Sequence, residues 1–363
     1  MKSSLKVLGF LAGAALFAVG MSGCSGKPKE GAEAGGSSGS AAPASTSIDA
    51  KGSTFVKPFL ENVFEEFKGK SGVTINYQGG GSGAGISGLL DGTVPFAASD
   101  APMSDEEMGK ATSGPSGAVM NLPIVLGAIA IAYNLEGVAD LKLDAEVLAH
   151  IFQRKITNWN DPKIAALNAG VTLPDLPITV VVRADGSGST YVFSDFLSKA
   201  APAAWTLGTD KQISWPNDVQ KQQKSDGVSK ATKDTPGAIT YVELSFAKQA
   251  GLGLTSVKNA DGQFVKPEPS GVTAAAENAS LPEDFRGSIV NAPGATSYPV
   301  SSYVFALVPS DLSKNTAGKG IVDALKFVVG EGQAKAEGLD YAPLPESTKT
   351  KVSEKLAAIK VAS

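Results

Sequence analysis

The sequence predicts an α/β protein whose sheets are mostly parallel and flanked by helices, and three observations carry that expectation. Short β-branched or apolar runs alternate with segments whose apolar residues recur at i, i+3, i+4 and i+7, the mark of strands alternating with helices. Three Gly/Ser-rich loops each follow a predicted strand and precede a predicted helix, where ligands gather in open α/β sheets. At 363 residues the chain exceeds one comfortable core, so two domains are expected.

The chain opens with Lys2 and Lys6, an apolar run over residues 7–21, and the small residues Ser22 and Gly23 before Cys24. A basic start, a short apolar core and small residues at a cleavage point describe a secretory signal over residues 1–23, too short for a membrane span. The chain's one cysteine directly after those small residues resembles a bacterial lipoprotein signal, in which Cys24 is lipidated and becomes the mature N-terminus. Residues 24–47 are dominated by Gly, Ser, Ala, Pro and Glu/Lys without apolar periodicity, which reads as a disordered tether. As a flexible coil it spans roughly 25 Å, enough to hold a folded body off a membrane.

The folded part is expected from Ile48. Gly52-Ser53-Thr54-Phe55 is a turn, and Pro58 suits the first turn of a helix whose Leu60, Val63, Phe64 and Phe67 share one face. A strand over 73–77 runs into Gly79-Gly80-Gly81-Ser82-Gly83, ahead of a helix through Ile86, Leu89 and Leu90. No Gly-Lys-Ser/Thr closes that loop, so it is no Walker loop. A strand over 94–99 ends at Asp100, a residue that also suits a turn, and residues 122–133 form a strongly apolar central strand. Further strands are expected over 148–152 and 156–159, with a helix near 164–167. His150, the one histidine, stands alone in the first of these, and its isolation favours a structural role.

The stretch around which the rest is organised is Arg183-Ala184-Asp185-Gly186-Ser187-Gly188-Ser189-Thr190. The apolar run 178–182 brings a buried strand to Arg183, and Phe193, Phe196, Leu197 and Ala200 form the inner face of the helix that follows. A helix N-terminus carries about half a positive charge and several unpaired N–H groups, and the arginine adds a donor fork suited to an oxyanion. The bland alternative is a Gly-Ser turn in which Ser187 or Ser189 caps the helix and Arg183 pairs with Asp185. Beyond it the Lys/Gln run within 205–234 reads as a solvated face, followed by a strand at 237–242 and a helix near 272–278. A strand over 298–308 and a helix through Ile321, Ala324, Leu325 and Val328 return the chain to the first domain.

Net charge of −4 argues against nucleic acid as a partner, so an anion bound here is drawn by a local site. A single cysteine and a single histidine exclude a disulfide framework and a multi-Cys/His metal site, and no cofactor is called for.

The ordered blocks Gly52-Ser53-Thr54-Phe55, Asn76-Tyr77-Gln78-Gly79-Gly80-Gly81-Ser82-Gly83, Ala98-Ser99-Asp100-Ala101-Pro102, Arg183 to Gly188, Pro236-Gly237-Ala238-Ile239 with Tyr241-Val242-Glu243, and Leu339-Asp340-Tyr341-Ala342-Pro343-Leu344-Pro345 resemble the phosphate-binding proteins of phosphate-specific ABC transporters. The resemblance runs from about residue 48 to 359 and implies the two-lobed periplasmic-binding-protein fold of type II (Venus flytrap), closing by a hinge. It implies one lobe from 48–128 with 297–363 and a second from 129–296. Carried onto this chain, it implies that Thr54 gives its hydroxyl and Phe55 its backbone N–H to phosphate. Ser82 adds a hydroxyl, Asp100 accepts a ligand proton, Arg183 supplies the cation and Asp185 braces it. Ser187, Gly188 and Ser189 surround the remaining oxygens; Ser189 stands where the family commonly has threonine.

A buried aspartate facing an anion repels fully ionised sulfate but accepts a hydrogen bond from phosphate, a difference of several kcal/mol and about a thousandfold in affinity. The resemblance further implies a non-enzymatic, monomeric receptor, exported and lipid-anchored toward the periplasm or cell exterior, that delivers phosphate to ABC permease subunits. Besides a surface protein that keeps the fold for adhesion or sensing without transport, two other readings stay open on the residues alone. One is a receptor for another oxyanion such as sulfate, molybdate, tungstate or arsenate. The other is a secreted phosphatase or serine hydrolase using Ser187 or Ser189, for which the chain offers no evident base.

Overall fold

The computed structural model describes residues 47–362. The signal, Cys24 and the tether up to residue 46 lie outside the described residues.

Strand β1 (Ser47–Gly52), helix α1 (Lys57–Ser71), strand β2 (Thr74–Gly79), helix α2 (Ser82–Leu90) and the short strand β3 (Ala97–Ser99) form two successive strand–helix units. Strand β1 lies between β2 and β3 and is parallel to both. Helix α1 starts with proline in its first turn, ends on Gly72 in the left-handed region and carries Lys68 and Lys70 in its last turn, as the dipole favours. Its buried face is Phe59, Leu60, Val63, Phe64 and Phe67.

Helix α3 (Asp105–Ser113) is held by a capping box in which Ser104 and Glu107 exchange side-chain and backbone bonds. Strand β4 (Val119–Tyr133) then runs fifteen residues, all buried except the half-buried Met120. Such an unalternating apolar strand must be covered on both faces. Residues 119–128 pair with a later strand, whereas residues 129–133 pair with a different one. One strand therefore belongs to two half-sheets in succession.

The second half continues with β5 (Lys142–Leu143), α4 (Ala145–Phe152), α5 (Pro162–Leu167), β6 (Thr179–Arg183), α6 (Gly188–Ala200), β7 (Gln220–Gln222), α7 (Lys224–Asp234), β8 (Ala238–Glu243) and α8 (Leu244–Ala250). Strand β6 is parallel to β7 and β8, and β8 joins β4 antiparallel. Short strands β9 (Gly253–Leu254), β10 (Ser256–Lys258) and β11 (Phe264–Val265) precede α9 (Pro269–Glu277). Strand β12 (Ser301–Pro309) then returns to the first half and inserts between β3 and β4, antiparallel to both. After β13 (Asp311–Leu312) come α10 (Gly318–Val329), α11 (Glu346–Ala357) and β14 (Lys360–Val361). The full order is β2-β1-β3-β12-β4-β8-β6-β7. The outer strands are parallel, and the two long buried strands at the centre are antiparallel.

Four local expectations are corrected. Residues 148–152 are helical within α4, because Asp144 caps the amide of Val147 and Val147, Leu148, Ile151 and Phe152 share a helical face. His150 is therefore a half-buried helix residue whose ring lies 3.3 Å from Lys163 Nζ. Residues 156–159 are irregular chain with one bridge, Asn158 to Pro177. The Lys/Gln run is not merely a solvated face: it holds β7 and leads into α7, which buries Ser225, Val228, Ser229 and Thr232. The strand expected over 94–99 is confined to β3.

Candidate anion-binding site at the junction of the two half-sheets

Strand β1 delivers Ser53, Thr54 and Phe55 to the junction. The carbonyl of Gly52 accepts the amides of Gly80 and Gly81 at 2.8 and 2.9 Å, fastening the glycine loop to the end of β1. Gly81 has φ +90°, and a side chain there would run into Asp185 and the Gly186 carbonyl, so the close approach of the two loops requires glycine. Helix α2 then opens on Ser82.

Asp100, at the end of β3, is 2% exposed. Ser53 Oγ donates to its Oδ1, Ser82 Oγ lies 3.4 Å from its Oδ2, and its own amide donates to Ser82 Oγ at 3.2 Å. Burial pushes the Asp100 carboxyl up to about 7; the nearby charge of Glu243 adds to this, and the Ser53 hydrogen bond and the Arg183 charge oppose it.

From the other half, β6 ends on Arg183, whose side chain is 2% exposed. Asp185 grips it edge-on, with Nε to Oδ1 at 2.8 Å and Nη2 to Oδ2 at 2.5 Å, and Lys224 N donates to Asp185 Oδ1 at 2.9 Å. Burial disfavours the Arg183 charge, but the hydrogen bond and charge of Asp185 outweigh it and hold the guanidinium above its ordinary value. Burial likewise opposes the Asp185 charge, and Arg183 overcomes it, holding that carboxyl below the usual range. The arginine backbone is fixed from below: its amide donates to Tyr241 Oη at 3.2 Å, and Tyr241 stacks on Phe193 with ring centroids 4.7 Å apart.

Helix α6 begins at Gly188, with Ser187 as its cap accepting the Thr190 amide at 3.2 Å. The Ser187 amide donates to the Lys211 carbonyl at 2.9 Å. Ser189 Oγ donates to Glu243 Oε1 at 2.7 Å. The halves meet directly: Thr54 Oγ1 lies 2.7 Å from Ser225 Oγ, and Gly83 N donates to Gly186 O at 2.9 Å. A Cβ on Gly188 would stand 2.5 Å from both Asp100 Oδ2 and Ser82 Oγ.

All eight candidates for anion contact, with Asp185, thus stand at or beside this junction. Phe55 sends its ring into the core, edge-on to Tyr341, so only its main chain is available there. Sequence reasoning missed Ser53, Ser225, Glu243 and Lys211. Ser225 had a usable signal, since Ser225, Val228, Ser229 and Thr232 repeat at helical spacing within an otherwise polar stretch.

A family model described as a PBP superfamily domain matches residues 37–325. The chain is 35% identical over 307 residues to the phosphate-binding protein PstS of Xylella fastidiosa strain Temecula1, covering 83% of this chain and 82% of that one. It is 35% identical over 311 residues to the phosphate-binding protein PstS of Pasteurella multocida strain Pm70, covering 84% and 88%.

The chain belongs to the PstS phosphate-binding protein family.

Its fold is shared with a high-affinity periplasmic phosphate-binding protein (PfluDING) solved with phosphate bound. That match has a TM-score of 0.71 and 23% identity, and it covers 85% of this chain and 93% of the other. Within this PstS-family fold, Arg183, Asp185 and the N-terminus of α6 come from one half-sheet, while Asp100, Ser53, Thr54 and Ser82 come from the other.

Proposed function

We propose that this chain is an extracytoplasmic receptor that binds inorganic phosphate between two lobes and hands it to the permease subunits of an ABC transporter. The observation that carries the reading is the facing of Asp100 and Gly188. A buried acceptor whose side-chain hydrogen bonds come from hydroxyls stands against the N-terminus of α6, beside a braced arginine. Donors at Arg183, α6, Thr54, the Phe55 main chain and Ser82 would hold the oxygens of a tetrahedral anion. Asp100 would accept the proton that phosphate carries and sulfate lacks.

The lobes in this reading are residues 48–128 with 297–363, and residues 129–296. The change of partner along β4 between Ala128 and Ile129 supports that division. The residues from both lobes that Thr54 and Ser225 link would separate when the cleft opens. Cys24 would carry the lipid anchor, with residues 24–47 as the tether, and the receptor would work as a monomer without catalysing a reaction.

The test is calorimetric titration of residues 48–363 with phosphate, after unfolding, dialysis and refolding to remove any carried ligand. One-to-one binding at micromolar affinity or tighter, about −8 kcal/mol or more, that excess sulfate does not disturb is the expected result. Folded protein giving no heat with phosphate would return the site to other oxyanions.

A further inference from the structure

Glu243 is the acidic group at the junction to which the phosphate reading assigns no task. It ends β8 in register with Ile129 of β4 and is 1% exposed. One of its oxygens accepts the Ser189 hydroxyl at 2.7 Å; the other is buried without a hydrogen-bond partner among the described residues. The charged and titratable groups near enough to feel its charge are Asp100 at the end of β3, Arg183 at the end of β6, and Tyr341 in the segment before α11. Arg183 is already closed on Asp185. Asp100 and Glu243 therefore remain as two acidic groups whose side-chain partners are hydroxyls.

A serine hydroxyl owns one proton and two lone pairs. Once Ser189 gives that proton to Glu243, it has only acceptor capacity left for anything bound at the N-terminus of α6. Its neighbour Gly188 lies against Asp100, the other acceptor. Two acceptors flanking one anion position call for a ligand with two protons.

We infer that Glu243 is a specificity-determining residue: by holding the Ser189 proton it makes Ser189 a second acceptor and sets the site for singly charged dihydrogen phosphate over the doubly charged form. The inference rests on the phosphate reading above.

The test counts protons. Phosphate is titrated into the chain between pH 8 and 9, in buffers of differing ionisation enthalpy, where free phosphate is mostly the dianion. The parent protein is expected to take up about one proton on binding and to lose affinity about tenfold across that unit. Glu243→Gln, in which the amide can release the Ser189 hydroxyl as a donor, is expected to lose affinity less than about threefold with uptake near zero. Ser189→Ala is expected to flatten the profile likewise and stands in if Glu243→Gln fails to fold by thermal melting. Parent protein that binds phosphate without taking up a proton overturns the inference and leaves the receptor reading intact. A Glu243→Gln variant weakened equally at every pH, with the parent's slope, also overturns it. Absence of phosphate binding by the parent protein at any pH overturns the receptor reading and this inference together.

Discussion

Thr54 and Ser225 stand 171 positions apart in the chain, yet their hydroxyl oxygens lie 2.7 Å from each other, and Arg183 Nη1 lies 3.4 Å from the same serine oxygen. Ser225 thereby links one half-sheet's first loop to the other half's cation. Ser225→Ala removes one buried hydroxyl partner from each. The expected loss is about 1–2 kcal/mol, or about tenfold in phosphate affinity by calorimetry. Unchanged affinity would place Ser225 outside the site.

Asp100→Asn replaces an acceptor with a group that can also donate. Rejection of sulfate should fall by about two orders of magnitude or more in a competition titration, since the repulsive element is gone. Selectivity equal to the parent's would remove Asp100 from discrimination.

The raised Asp100 carboxyl also makes a stability prediction. Its folded value of about 7 lies above the ordinary 3.8, so the native state binds the proton more tightly than the unfolded chain does. Stability is then full below about pH 4 and is lost as pH rises through 7, by about 4 kcal/mol at most. Ligand-free parent protein should melt at lower temperature at pH 8 than at pH 5, and Asp100→Asn should lessen that difference. Equal slopes for the two proteins in chemical denaturation would contradict the assignment.

Gly188→Ala tests the closeness of the halves. The helix itself favours alanine over glycine, so helix content should be kept. The new methyl would stand 2.5 Å from Asp100 Oδ2 and Ser82 Oγ, which forbids the observed approach. Phosphate affinity should fall about a hundredfold or more, with the circular dichroism spectrum unaltered.

Glu107 of α3 and Lys211, in the segment between α6 and β7, form a half-buried ion pair at 3.0 Å, and the Lys211 carbonyl also accepts the Ser187 amide. Lys211→Met keeps the carbonyl and removes the charge. The phosphate dissociation rate should rise about fivefold in stopped-flow displacement, a loss of about 1 kcal/mol. A rate within error of the parent's would mean that the pair takes no part in holding the halves together.

Much of this architecture is legible before any coordinates. Helix α1 announces itself by Pro58 and a four-residue apolar face, β4 by its length and unbroken apolarity, and the Arg183 loop by a strand, an arginine and a glycine–serine turn in immediate succession. These features are local, so a window of a dozen residues contains their cause. Ser225 and Glu243 are different. Nothing beside Ser225 in the chain says that α7 will carry it to Thr54, and nothing beside Glu243 says that it will meet Ser189. Ser53 hides for a subtler reason: it sits one position before the expected contact residue, and its hydroxyl serves Asp100. Residues 148–152 misled because four apolar residues around one histidine fit either period, and only the Asp144 cap decides between them.

The placement of β12 governs how the molecule can assemble. It sits between β3 and β4, bonded to Ala97–Ser99 on one side and to residues 119–128 on the other. The strands flanking it are synthesised roughly 170 to 210 residues earlier, and Ala342 adds a later bridge to Leu126. Until residue 309 has emerged, β3 and β4 face a gap as wide as a strand, with unsatisfied backbone groups on both sides. Closing so long a loop is entropically slow, so this body should remain open and extended well after its first half exists, becoming compact only when the last fifth of the chain arrives.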